Sequence, residues 1–143
     1  IRMITDGDVS AALLAVSERS PVDLLWGIGG TPEGVLPAAA LKSLGGQLLG
    51  RLWPRTDEER SAAADAGYDL DRILTANDLC SGDDVFFSAT GVTDGDVLQR
   101  VRYRGPGATT ESLVMRSRSG TVRRVQAQHD RSKLRAIIGE RYG

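Results

Sequence analysis

A chain of 143 residues and 15.3 kDa has ordinary single-domain size and enough length to bury a real core. Its 41% hydrophobic and 26% charged residues describe a globular protein rather than a disordered one. No apolar run approaches the roughly 18 residues of a spanning helix, so no membrane role is expected.

The net charge of −1 hides an asymmetry: residues 1–99 hold 7 Lys and Arg against 16 Asp and Glu, and residues 100–143 hold 11 against 3. A basic final third raises the question of nucleic acid. However, Arg100, Arg102 and Arg104 alternate, as do Arg116 and Arg118, the pattern of a solvated strand face. Aromatic residues are only 5% of the chain, which leaves few stacking platforms for single strands. Solvated faces or subunit contacts are expected, and no nucleic-acid partner. The single cysteine, Cys80, allows no internal disulfide and suits a reducing compartment. The first residues carry no charged segment followed by an apolar one, so a cytoplasmic location is expected.

Taken in order, residues 1–4 (Ile-Arg-Met-Ile) read as the end of a buried strand, which suggests a piece of a longer protein. Residues 9–16 read as a helix with Leu13, Leu14 and Val16 on its apolar side, and residues 23–26 as a second buried strand. A second helix is expected over 32–44, closed by Gly45-Gly46, and a third strand over 47–53, stopped by Pro54. Residues 56–66 carry the capping-box pattern, Thr56 with Glu59 three residues on, and end at Gly67. Two successive strand–turn–helix units imply parallel strands with ligand groups at their C-terminal ends. Residues 85–87, 97–103, 112–118 and 121–126 then read as strands, with Ser119-Gly120 as a hairpin turn, and residues 131–142 as a terminal helix.

The residues richest in chemistry follow the strand at 23–26. Gly27-Ile28-Gly29-Gly30-Thr31-Pro32-Glu33-Gly34 packs four glycines into eight residues, with a proline where a helix would begin. Glycine allows backbone N–H groups to approach a ligand, and a helix N-terminus attracts anions. Glu33 therefore stands where a phosphate, a metal ion or both are held, since a carboxylate beside a phosphate calls for a bridging divalent cation. The alternative is a tight strand-to-helix turn with Glu33 set against the helix dipole.

Thr5-Asp6-Gly7-Asp8-Val9 recurs as Thr93-Asp94-Gly95-Asp96-Val97. The first copy follows a strand and opens a helix, so Asp8 is a candidate cap and Asp6 a residue pointing into a site. Asp-Gly-Asp offers acceptors to sugar hydroxyls; a capped helix explains the same letters. The second copy lies between strands, where Asp-Gly is ordinary turn chemistry. His129, the only histidine, leaves little material for histidine-based metal or nucleophile chemistry and reads as a surface residue. Cys80 has no histidine nearby and reads as inert, and Asp83-Asp84 reads as a strand entrance with a lesser metal alternative.

Taken together, Thr5-Asp6-Gly7-Asp8 and Asp23-Leu24-Leu25-Trp26-Gly27-Ile28-Gly29-Gly30-Thr31-Pro32-Glu33-Gly34 resemble the class II fructose-1,6-bisphosphatases of the GlpX type. The likeness continues through Ala38-Ala39-Ala40-Leu41-Lys42, the run Asp84-Val85-Phe86-Phe87-Ser88-Ala89-Thr90-Gly91-Val92-Thr93-Asp94-Gly95, and Ser112-Leu113-Val114-Met115-Arg116-Ser117. It covers nearly the whole chain.

The resemblance implies an α/β layered sugar-phosphatase fold, shared with inositol monophosphatase-like enzymes, of which this chain is the C-terminal portion with a mixed sheet and flanking helices. It implies removal of the 1-phosphate of fructose 1,6-bisphosphate in gluconeogenesis, supported by Mg2+ or Mn2+. Asp6, Gly7, Asp8 and Gly30 correspond to substrate contacts and Glu33 to a metal ligand. Family members are about twice as long, and most of their metal carboxylates and their catalytic threonine region lie in an N-terminal half. The chain alone is therefore expected to be inactive, to need that half as its partner, and to work within a homo-oligomer. Two other readings stay open: a bisphosphatase for sedoheptulose 1,7-bisphosphate, and a non-catalytic sugar-phosphate-binding module.

Overall fold

The computed structural model describes residues 1–4, 7–17 and 20–139, and packs helices against one face of an antiparallel sheet. Helix α1 spans Asp8–Ala15 and starts from Gly7, whose φ of 82° lies in the left-handed region that glycine tolerates. The cap expected at Asp8 is thus at Gly7, and Asp8 falls in the first turn, where its charge suits the helix dipole. Helix α2 spans Thr31–Leu44, with Pro32 in its first turn and Gly45 closing it at φ 72°.

Beyond α2 the chain forms a small two-stranded sheet and two short helices. Strand β1 (Leu49–Gly50) pairs antiparallel with β2 (Leu74–Thr75), Leu49 opposite Thr75. Between them, α3 (Asp57–Asp65) is capped as expected: the Glu59 N–H donates to Thr56 Oγ1 at 3.2 Å. The Glu59 carboxylate reaches back to the Arg55 N–H at 2.7 Å. Helix α4 (Ala76–Leu79) carries a reciprocal capping box, in which Asp78 accepts from the Thr75 N–H at 2.8 Å. Lys42 of α2 ties down the following turn by donating to the carbonyls of Cys80 and Gly82, at 3.0 and 2.7 Å.

The main sheet holds β3 (Phe86–Thr90), β4 (Arg102–Arg104), β5 (Gly107–Arg116) and β6 (Thr121–Asp130). Strand β5 is its centre. On one side β6 pairs along its full length, from Gly107 opposite Asp130 to Arg116 opposite Thr121. On the other, β3 takes residues 112–116 and β4 takes residues 107–109. Alternation along β5 sends Leu113 and Met115 to the helix-covered face, opposite Ala89 and Phe87 of β3. There they meet Leu13 of α1 and Ala40 of α2 in one buried cluster. Ala38 and Ala40 have no exposed surface, and their small side chains let α2 lie close against its neighbours. Burying Met115, 1% exposed, contributes about 1.5–3 kcal/mol.

Several expected elements take another form. Residues 1–4 and 23–26 form no strand, and Leu24 and Trp26 remain 74% and 90% exposed. A strand needs a neighbour for its N–H and C=O groups, and nothing within the described residues lies alongside these segments as a strand. Every strand pairing among the described residues is antiparallel, so neither the parallel strands expected from two strand–turn–helix units nor the mixed sheet implied by the resemblance is formed among them. The strand expected over 47–53 shortens to β1, and that over 97–103 to β4. Strand β6 runs past residue 126 to Asp130 and takes in His129. Helix α5 covers Arg131–Gly139; residues 140–142 of the expected helix lie outside the described residues. The turn between β5 and β6 occupies residues 117–120, longer than a two-residue hairpin, with Gly120 at φ 58°.

Candidate functional site

Two helix N-termini converge on one pair of glycines. Helix α1 begins just after Gly7 and α2 just after Gly30, and the two helices pack together. A β-carbon built on Gly29 would lie 3.0 Å from Asp8 Oδ2. One built on Gly30 would overlap Glu33 Oε2. The Asp8 carboxylate, half-buried, and the exposed Glu33 carboxylate therefore both lie against the Gly29-Gly30 backbone. Gly30 has φ −71° and ψ 161°, which any residue adopts, so its glycine serves close approach and not conformation.

The arrangement combines oxygen donors with positive helix ends. Each helix N-terminus carries roughly half a positive charge, favourable to anions, while two carboxylates at one spot suit hydroxyl donors and hard cations. Among the described residues no group of three or more His, Cys, Asp or Glu side chains is placed to hold a metal ion. Glu33 and Asp8 offer the right donor chemistry for a hard divalent cation but too few oxygens to complete its near-octahedral shell.

Of the expected site residues, Gly7, Asp8, Gly30 and Glu33 are brought to this one corner, and Asp6 lies outside the described residues. Gly29 was not singled out within its loop, yet it is the glycine that meets Asp8. Its only signal in the sequence was the doubled glycine itself. Exposed Trp26 and Ile28, at 90% and 66%, flank the loop.

The other candidates have structural partners. The Arg116 guanidinium donates from Nε to Asp84 Oδ1 at 2.6 Å, and this bond with its charge holds the Asp84 carboxyl below the usual carboxylate range. Asp94 pairs with Arg100 at 3.3 Å and Asp96 with Arg2 at 2.8 Å, so the second Asp-Gly-Asp serves a turn. His129 Nε2 meets Thr110 Oγ1 at 2.9 Å, on the wall of a groove of about 630 Å³ between the sheet and α5. Tyr103, Arg131 and Leu134 also line that groove, and no expected site residue does. Cys80 is a free, half-buried thiol beside the Lys42 tether.

A family model described as bacterial fructose-1,6-bisphosphatase, glpX-encoded, matches residues 1–129. The chain is 40% identical over 139 aligned residues to fructose-1,6-bisphosphatase 1 class 2 of Escherichia coli strain K12, an alignment covering 88% of this chain and 41% of that protein. It matches the class 2 fructose-1,6-bisphosphatases of Escherichia coli O6:H1 and Shigella flexneri to the same extent, 40% identity. The chain thus spans 41% of the length of these curated relatives. No helix among the described residues is long and apolar enough to cross a membrane. On the match over residues 1–129, the chain belongs to the bacterial, glpX-encoded fructose-1,6-bisphosphatase family.

Proposed function

We propose that the chain is the C-terminal α/β part of a metal-dependent fructose-1,6-bisphosphatase of layered sugar-phosphatase fold. The enzyme releases the 1-phosphate of D-fructose 1,6-bisphosphate, leaving D-fructose 6-phosphate, in gluconeogenesis. The observation that carries this reading is the convergence of Asp8 and Glu33 on Gly29-Gly30 between two helix N-termini. A bisphosphorylated sugar presents what that corner favours, phosphate oxygens beside hydroxyl donors.

In this reading Glu33 holds Mg2+ or Mn2+, which when bound neutralises phosphate charge and supplies an activated water. Asp8, with Asp6 and the Gly7 backbone, accepts hydrogen bonds from the sugar hydroxyls and fixes the ring. Gly30, with no β-carbon, leaves the Glu33 carboxylate room to lie against the loop backbone beside the sugar phosphate. Positioning of this kind supplies a large share of the barrier reduction. The remaining metal carboxylates and the catalytic groups come from a segment upstream of this chain in a cytoplasmic homo-oligomer, and this part alone is inactive.

The test is phosphate release by the full-length protein, with and without added Mg2+ or Mn2+, and identification of the sugar product. Metal-dependent formation of fructose 6-phosphate supports the reading. Release from sedoheptulose 1,7-bisphosphate only, or sugar-phosphate binding with no release, replaces it.

A further inference from the structure

The second Thr-Asp-Gly-Asp segment lies in the loop over residues 91–101, between β3 and β4, and that loop is fastened to the sheet at several points. Its first N–H, that of Gly91, donates to the Glu111 carbonyl at 3.0 Å. The Gln99 N–H donates to Glu111 Oε2 at 2.7 Å, while Arg124 Nη1 donates to the Val97 carbonyl at 2.8 Å and to Glu111 Oε1 at 3.2 Å. The Glu111 side chain is only 22% exposed and accepts from both of these donors. At its base the loop closes so tightly that a β-carbon on Gly91 would overlap the Gln99 carbonyl oxygen.

From that anchorage the loop reaches the core cluster that α1 shares. Val97 and Leu98 pack against the core cluster containing Leu13, as does Val9, the residue after Asp8. Asp96 pairs with Arg2, a few residues before the substrate turn, at 2.8 Å. Glu111 and Arg124 thus fasten a loop whose Val97 and Leu98 share the Leu13 cluster with Val9 of α1, and whose Asp96 pairs with Arg2.

The geometry points to Glu111 and Arg124 as positioning residues: together they clamp loop 91–101 so that it braces the start of α1 and holds Asp8 against Gly29. The inference rests on the proposed role of Asp8 in substrate binding. A clamp of this type acts on substrate affinity more than on the chemical step, because the residue it holds, Asp8, is the sugar contact of that reading, while Glu33 is carried by α2.

The test uses the full-length enzyme with Glu111→Gln, which keeps the shape of the side chain but removes its charge. KM for fructose 1,6-bisphosphate should rise about tenfold, kcat should change less than about threefold, and the activating metal concentration should stay the same. Asp96→Asn, at an exposed pair, should shift KM in the same direction by less, and Arg124→Lys should restore part of what Arg124→Ala loses. Amide hydrogen exchange over residues 7–13 and 96–101 should accelerate together in Glu111→Gln, a readout independent of activity. A folded Glu111→Gln enzyme with unchanged KM, or exchange that accelerates in the loop but not over residues 7–13, would overturn the inference. Wild-type enzyme that releases no phosphate would instead remove the functional reading, and the exchange comparison would still decide whether the clamp exists.

Discussion

The Glu33 carboxylate folds back over the backbone of Gly30, occupying the space where any other residue at position 30 would place its β-carbon. Because Gly30 has an ordinary extended conformation, Gly30→Ala strains no dihedral. The obstructing atom is the end of a flexible side chain, so the variant folds and the Glu33 carboxylate moves aside. In the full-length enzyme we expect an unchanged melting temperature and a fall in kcat/KM on the order of 100-fold, since small misplacements at a reacting centre cost that much. Steady-state kinetics beside a thermal melt check the pair of outcomes.

Glu33→Gln separates charge from shape. The amide fills the same space, so folding survives, while metal affinity and turnover fall, on the order of 100-fold in rate. Asp94→Asn, whose carboxylate pairs with Arg100 in a turn, should do far less. Metal titrations of the two variants discriminate: full activity of Glu33→Gln without extra metal would remove its ligand role.

Gly91→Ala tests the contrast between a flexible and a rigid obstacle. Here the β-carbon meets the Gln99 backbone, which is held by the Glu111 carboxylate and cannot swing away. Destabilisation of about 1–3 kcal/mol is expected, as for other overpacked sites. Met115→Ala, in the cluster with Leu13, Phe87 and Leu113, should cost about 2–5 kcal/mol by leaving a cavity. Urea unfolding followed by fluorescence measures both.

Acid sensitivity follows from Asp84. Its carboxyl lies below the ordinary value because Arg116 donates to it and adds its charge, against a smaller opposing effect of burial. A depressed folded pKa means stability that is present above the unfolded carboxylate value, about 4, and is lost as pH falls through the lower folded value. Asp78, held low chiefly by the Thr75 backbone N–H, and Asp130, held low chiefly by the Ser132 hydroxyl, add the same sign. The stability of Asp84→Asn should therefore fall less steeply than wild type below about pH 4. Equal slopes in melts across that range would contradict the role given to the Arg116 pair.

What was legible in the sequence was whatever local chemistry decides. Pro32 and Gly45 bound α2, Thr56 and Glu59 start α3, and a strand was expected over residues 112–118, most of which lie in β5. The Gly29-Gly30 turn was legible for the same reason, and so was Glu33 beside it. The failures are those of partnership. The run Leu24-Leu25-Trp26 has the composition of a buried strand, yet Trp26 is 90% exposed, because no strand among the described residues pairs with it. The chain's relatives are more than twice as long, this chain covering 41% of them. Arg116 read as part of a solvated face, whereas it meets the Asp84 carboxylate at the entrance of the neighbouring strand, a pairing that only the register reveals.

The most direct test measures phosphate release from fructose 1,6-bisphosphate, with Mg2+ or Mn2+ added, by this chain alone and by the same chain with its upstream segment restored. The account predicts no release from the chain alone and metal-dependent release from the restored protein. Release by the chain alone would contradict a site divided at the Asp8 and Glu33 corner, and release by neither would contradict the bisphosphatase reading itself.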